Sequence, residues 1–448
     1  MNGHEFPVMP TLRAGSARTD ITPDEPIQLS GYGPGTLDRT STGVHSPVSA
    51  TALVLDDGTT TVAVVAVDLL NVSRELTAAV RDEASALGVD HVTVAATHTH
   101  AAPYVPGRFL EVNPLLSYDA DTTDYVATVE RAVVDAISDA YDRRSSATLR
   151  VGRATDDTVP VNRRRTDGPV DPELVAVVVE TDARDLLLLN FACHPVCTTA
   201  DATLVAADWP GALYERVRVE TGMETLFLNG AAGDVNPRGS SETRTDEAVY
   251  RYVTAVGEEV AEAALDAVAD ARDGDPLAVA SLTVERRTVE LAFQATSTTE
   301  EMERRHAELT AEIDRLGGDP AAVDFHSLQD DDSRIASLFR DRWYLEEKRR
   351  LAECNRDAYE TELAYVDAGP LGFLSIPGEA FVEHGLAFKA AADADADPLV
   401  VAGYANEYVG YLPTVEAFDE GGYEVRTCKF APAGAEAFRE TALDLVVE

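Results

Sequence analysis

Lysine is nearly missing from this chain of 448 residues. Lys348, Lys389 and Lys429 are the only three, arginine supplies the rest of the 37 basic groups, and 79 acidic groups leave a formal net charge of −42. A surface of that sign repels phosphate backbones and anionic headgroups, which excludes nucleic acid and anionic bilayers as expected partners. Cysteine is also scarce: Cys193, Cys197, Cys354 and Cys428 are too few for a disulfide framework at this length and read as thiols of a reducing compartment. No run approaches the ~20 apolar residues that cross a bilayer, and the opening MNGHEFPVMPTLRAG has no apolar h-region. The expectation is a cytoplasmic protein with no stable membrane insertion. A G-x-x-x-x-G-K-[ST] phosphate loop and a G-x-S-x-G nucleophile elbow are missing too, which argues against nucleotide chemistry and a serine hydrolase.

What is present is a globular composition, 45% hydrophobic, with β-branched runs alternating with helical periodicity. Strands are expected at 51–56, 61–68, 91–95, 174–181, 185–193, 225–228, 282–292, 361–367, 372–376 and 398–403, and helices at 73–87, 123–141, 209–220, 246–271 and 379–392. This is an α/β pattern: a mixed β-sheet core flanked by helices. Residues 298–357 are polar, with apolar positions at helical spacing in two blocks around Gly317-Gly318-Asp319-Pro320. They read as an inserted helical hairpin, either a solvated excursion or a lid. The acidic run at 393–397 reads as a solvated loop.

Five polar clusters each follow an apolar run. They are Thr97-His98-Thr99-His100, His194-Pro195, Asn229-Gly-Ala-Ala-Gly-Asp234-Val-Asn236-Pro237, Pro377-Gly378-Glu379, and Asn406-Glu-Tyr408-Val-Gly-Tyr411. Ligands of open α/β sheets bind beyond the carboxyl ends of strands, so these ends can share one pocket. In an extended segment His98 and His100 would point to the same face. With His194 and Glu379 they supply the imidazole and carboxylate donors of a catalytic zinc site at strand C-terminal ends. Each also has a plainer reading. The histidines can be bonded to backbone, His194-Pro195 can be a turn, and Glu379 can be a first-turn carboxylate of the helix at 379–392. Cys193 and Cys197, in C-H-P-x-C, read as buried small apolar groups.

In order along the chain, these stretches resemble the neutral/alkaline, non-lysosomal ceramidase family of zinc amidases. The matching stretches are Ala17-Arg-Thr-Asp-Ile-Thr-Pro23, Gly31-Tyr32-Gly33, Val67-Asp68-Leu69, Thr97-His98-Thr99-His100, Asn162-Arg163, His194-Pro195, Gly230-Ala-Ala-Gly-Asp234-Val-Asn-Pro237, Pro377-Gly378-Glu379, and Gly403-Tyr404-Ala-Asn406 onward to Tyr423-Glu424. The resemblance implies that residues 1–448 form one catalytic domain without the family's C-terminal immunoglobulin-like domain. It implies Zn2+ held by His98, His194, Glu379 and Tyr411, with His100, Arg163 and Tyr423 facing the substrate amide. His100 would relay the proton, as an imidazole near its ordinary pKa of about 6.5 can. The implied substrate is a small-molecule or lipid-like N-acyl compound. Asn236 stands where the characterised ceramidases carry a serine. Two other outcomes stay open: a hydrolase of esters or other acyl bonds at the same site, and a non-catalytic binding protein that keeps the fold.

The charge balance itself resembles that of proteins adapted to molar salt, where the Debye length falls to about 3 Å and self-repulsion is screened. We therefore expect the melting temperature to rise between dilute buffer and molar KCl. A thermal scan showing no change would contradict this.

Overall fold

The computed structural model describes residues 12–32, 39–106, 122–319, 333–392 and 398–447. Gly33, Pro320 and the acidic loop at 393–397 lie outside them. The larger sheet has eight strands, β1 (Arg13–Asp20), β2 (Ser49–Asp56), β3 (Thr61–Val67), β4 (His91–Ala96), β5 (Ser145–Thr155), β6 (Glu173–Thr181), β7 (Leu186–Phe191) and β8 (Glu224–Asn229), in the order 8-7-6-5-1-2-3-4. Its interior pairs are antiparallel, while the pair at each edge, β8 with β7 and β3 with β4, is parallel. Helices α1 (Arg74–Ala86), α2 (Thr123–Asp142), α3 (Trp209–Thr221) and α4 (Asp246–Asp273) cover one face. Parallel neighbours need a crossover, and α1 and α3 supply the two that the edges require.

A second sheet covers the other face: β9 (Thr283–Ala292), β10 (Ala358–Asp367), β11 (Gly372–Ser375) and β12 (Leu399–Ala402), in sequential order, with only β11 and β12 parallel. The expected mixed core is thus two stacked sheets. Along β3, Ala63, Val65 and Val67 face the helices, whereas Val62, Val64 and Ala66 face the second sheet with Val366, Phe373 and Val400. Both faces being covered, Thr61–Val67 is buried throughout and reads as one unbroken apolar run. Between β9 and β10 the chain makes the hairpin of α5 (Thr299–Arg315) and α6 (Arg334–Glu353), started by a Thr298/Glu301 capping box and an N-capping Ser333. Helices α7 (Val382–Ala391) and α8 (Pro432–Val447) close the outer face of the second sheet through Phe388, Phe438, Ala442 and Leu445. No helix among the described residues is long and apolar enough to cross a membrane.

Two buried asparagines join the sheets at one end. Asn190 of β7 donates to Val401 O (2.9 Å) and accepts from Val401 N (3.1 Å) of β12, so a side-chain amide takes the place of a neighbouring strand. Asn406, beyond β12, accepts from Val94 N (3.0 Å) through its side chain, while its own N–H donates to Val94 O (2.7 Å). Edge strand β4 is thereby covered. On the helix face, β5 approaches α4 without a spacer: a Cβ on Gly152 would lie 2.0 Å from Ala267 O and 2.3 Å from Ala271 N. We expect Gly152→Ala to cost about 1–3 kcal/mol by overpacking, read as a lower urea midpoint at unchanged slope.

Candidate active site

Loops leaving β4, β7, β11 and β12 meet at the joined end of the sheets. His98 follows β4 at a left-handed φ of 71°. Its segment is therefore not extended, and the expected strand geometry is not what places His98 beside His100. The turn does so instead, with ring centroids 5.0 Å apart and Nε2 atoms 3.3 Å apart. His194 follows β7, its ring centroid 4.9 Å from that of His98. One donor nitrogen from each of His98, His100 and His194 lies within 4.8 Å of the others.

Backbone carbonyls decide which nitrogens are free. A carbonyl only accepts, so His98 Nδ1 donates to Leu70 O at 2.6 Å and His194 Nδ1 to Ala232 O at 2.6 Å. Both Nε2 atoms then turn to Glu379, whose Oε2 lies 3.0 Å from His194 Nε2 and 3.5 Å from His98 Nε2. Burial holds His194 down to about 4, with the positive charge of Arg163 and the His98 imidazole adding to the effect. His100 is pushed well below its ordinary value, first by burial and then by His98 and His194. The expectation that His100 titrates near 6.5 is corrected: it rests as neutral imidazole. Burial alone would raise the carboxyl of Glu379, but His98 and His194 at Oε2 outweigh that and hold it well below its ordinary value. With both Nδ1 protons committed to carbonyls, two Nε2 atoms and a carboxylate oxygen converge in a dry pocket, a donor set that suits a divalent metal.

Glu379 does not begin a helix, as the sequence pattern suggested. It pairs with Tyr411 in a two-residue parallel ladder, Glu379–Ala380 beside Tyr411–Leu412, and α7 starts only at Val382. That ladder is what brings Tyr411 beside the carboxylate. Its hydroxyl accepts from Arg163 Nη2 at 3.0 Å; burial pushes this phenol well up while the guanidinium opposes it. Arg163 also donates through Nε to Glu424 (2.8 Å), through Nη2 to Gly233 O (2.8 Å) and through Nη1 to Asn236 Oδ1 (3.3 Å). Tyr423 stands edge-on to Tyr411, with centroids 5.8 Å apart. His98, His100, Arg163, His194, Glu379, Tyr411 and Tyr423 are thus brought to this end of the fold, with His98, His194 and Glu379 in mutual contact.

Four further participants lay in the quoted stretches without an assigned role. Tyr408 donates a short hydrogen bond to Glu379 Oε1, and Tyr404 stacks on His98 at 4.1 Å between centroids. Glu424 grips Arg163, and Asp234 ties the loop down by accepting from Val382 N (2.9 Å) and Asn162 Nδ2 (2.8 Å). A Cβ on Gly233 would lie 2.4 Å from Glu379 O, so this loop approaches the Glu379 strand as only glycine allows. The recurrence of tyrosines after β12 was the available signal for Tyr404 and Tyr408. Cys193 and Cys197 are buried free thiols, as expected.

The architecture is a mixed two-sheet α/β fold with a buried histidine–carboxylate pocket at the strand ends. The chain belongs to the neutral/alkaline non-lysosomal ceramidase family: residues 12–238 match that family's N-terminal domain. The match includes His98, His100, Arg163, His194 and Asn236, and the fold supplies Glu379, Tyr411 and Tyr423 from beyond it. Among solved structures, the neutral ceramidase from Pseudomonas aeruginosa is similar at 20% identity with a TM-score of 0.74, covering 98% of this chain and 74% of that one. A ceramidase complexed with C2 is similar at 18% identity with a TM-score of 0.73, covering 98% and 75%. Comparison with curated proteins gave no match.

Proposed function

We propose that this ceramidase-like hydrolase is zinc-dependent and cleaves the amide bond of a small or lipid-like N-acyl substrate. The observation that carries the reading is the convergence of His98 Nε2, His194 Nε2 and Glu379 Oε2, both imidazoles being locked by carbonyls into the tautomer that offers Nε2. These three and Tyr411 would hold the ion. When bound, it supplies Lewis acidity, acidifying a water and polarising an acyl carbonyl.

The remaining groups divide the work by their chemistry. His100, neutral and beside His98, takes the proton lost in the attack and passes it to the leaving amine. Arg163, kept charged by Tyr411 and Glu424 despite its burial, puts a fixed positive charge where negative charge develops on the acyl oxygen. Tyr423 supplies a further hydroxyl donor there. Asn236 replaces a hydroxyl with an amide against Arg163, which changes the shape presented to the substrate while leaving Arg163 bonded.

Two experiments test this. Chelation is expected to abolish hydrolysis of N-acyl substrates, and zinc to restore it; activity that survives metal removal would contradict the proposal. In variants, His98→Ala, His194→Ala and Glu379→Ala should lose the metal by elemental analysis. His100→Ala and Tyr423→Phe should keep it while turnover falls, on the order of 10²–10³ for a lost oxyanion donor. An empty site in His100→Ala would move His100 into the ligand set, and faster cleavage of a matched ester than of the amide would change the bond assigned.

A further inference from the structure

Among the described residues, α6 of the inserted hairpin packs against a short helix near the site, Tyr423–Thr427. The chain enters that helix through Gly421 and Gly422, both at positive φ (71° and 98°), and Arg164 Nη2 donates to Gly421 O at 2.8 Å. One side of the helix faces the site: Tyr423 lies against Tyr411, and Glu424 binds Arg163 and Arg164, each at 2.8 Å. The other side faces α6. Arg426 donates to Asp341 at 2.8 Å and lies 3.8 Å over the ring of Tyr344. Two residues past the helix, Lys429 meets Glu347 at 2.6 Å, with side chains only 4% and 6% exposed.

From these contacts we infer that Asp341, Tyr344 and Glu347 are positioning residues, and that the hairpin serves the reaction by holding Tyr423 and Glu424, and through Glu424 the Arg163 guanidinium, in register with the metal-ligand set. The inference rests on the reading above that Arg163 and Tyr423 face the substrate. Arg163 and Arg164 hold the helix at its entry and on the site side, while its outer side and the chain just past its far end are held by α6. There the buried Glu347–Lys429 pair fixes the chain, since parting a buried pair strands a charge. The Arg426 stack on Tyr344 fixes the rotation. Glu424 and Arg426 are two positions apart, so a movement of α6 displaces both sides of the helix together. A displacement of about 1 Å at a positioning group can cost on the order of a hundredfold in rate.

The test uses the full chain with its metal. Asp341→Ala, at a half-exposed position, and Tyr344→Leu are compared with the wild type by hydrogen exchange and steady-state kinetics. Expected are faster amide exchange at 421–429 and at 162–165 with no change at 97–100, full metal content, and kcat lowered on the order of tenfold with KM within about twofold. Asp341→Glu should recover most of the loss, and Asp341→Ala placed on Tyr423→Phe should cost less than the two single losses combined, because part of the Asp341 effect passes through Tyr423. Unchanged exchange at 162–165, or losses that simply add, overturns the inference. The exchange measurement needs no turnover, so a wild type inert towards N-acyl substrates would overturn the proposed reaction and leave exchange at 162–165 to decide this inference.

Discussion

A carboxylate buried against two imidazoles is the contact that the rest of the molecule has to accommodate. Glu379 is 2% exposed, and His98 and His194 are 1% and 0% exposed. Placing such groups out of water is costly unless every remaining lone pair and proton has a partner. The partners are mostly backbone: Leu70 O and Ala232 O hold the far nitrogens of the rings, and Tyr408 covers the second carboxylate oxygen. These carbonyls do more than satisfy hydrogen bonds. By accepting at Nδ1 they leave Nε2 as the atom presented inward, the arrangement by which outer groups set the tautomer and direction of a metal ligand.

Meeting that requirement explains features that look unrelated in the fold. His98, His194 and Glu379 leave two different sheets, so the sheets must be fixed at the end where these residues emerge. Asn190 and Asn406 do this with side chains that imitate strand hydrogen bonding, and Gly403 N adds a bond to Asn229 O at 2.8 Å. The left-handed backbone at His98, Tyr404 and Asn406 belongs to the same seam. A non-glycine residue held at positive φ costs free energy, and these positions persist because the packing around them leaves no alternative.

How much of this could be read from sequence follows from where the signals come from. Strands buried on both faces, such as β3 and β7, announce themselves as apolar runs, and they were expected within a residue or two of their observed ends. Strand β1, Arg-Ala-Gly-Ser-Ala-Arg-Thr-Asp, and β5 were not, because their inner positions are small where helices press close, as Gly152 is against α4. Glu379 was assigned to a helix start because turn residues precede it and helical periodicity follows. The two-residue ladder with Tyr411 that actually holds it spans 32 positions and leaves no local pattern. The site residues were legible as motifs following apolar runs, but their division of labour depends on contacts such as Glu424 with Arg163, between residues far apart in the chain.

The scarcity of lysine has a structural counterpart. Lys389 lies between Asp171 (2.7 Å) and Glu173 (2.9 Å), and Lys429 meets Glu347, so two of the three lysines sit in buried ion pairs. Positive charge elsewhere falls to arginine, and the site shows what that residue offers. Arg163 reaches Glu424, Asn236, Gly233 O and Tyr411 at once through three nitrogens of a rigid plane. An ammonium, a single point with three donors on a flexible stem, cannot fix that many directions. The chain's preference for arginine and the need for a charge held in one place at this end of the fold are therefore met by the same side chain, whose Nε edge is taken by Glu424 on the helix Tyr423–Thr427.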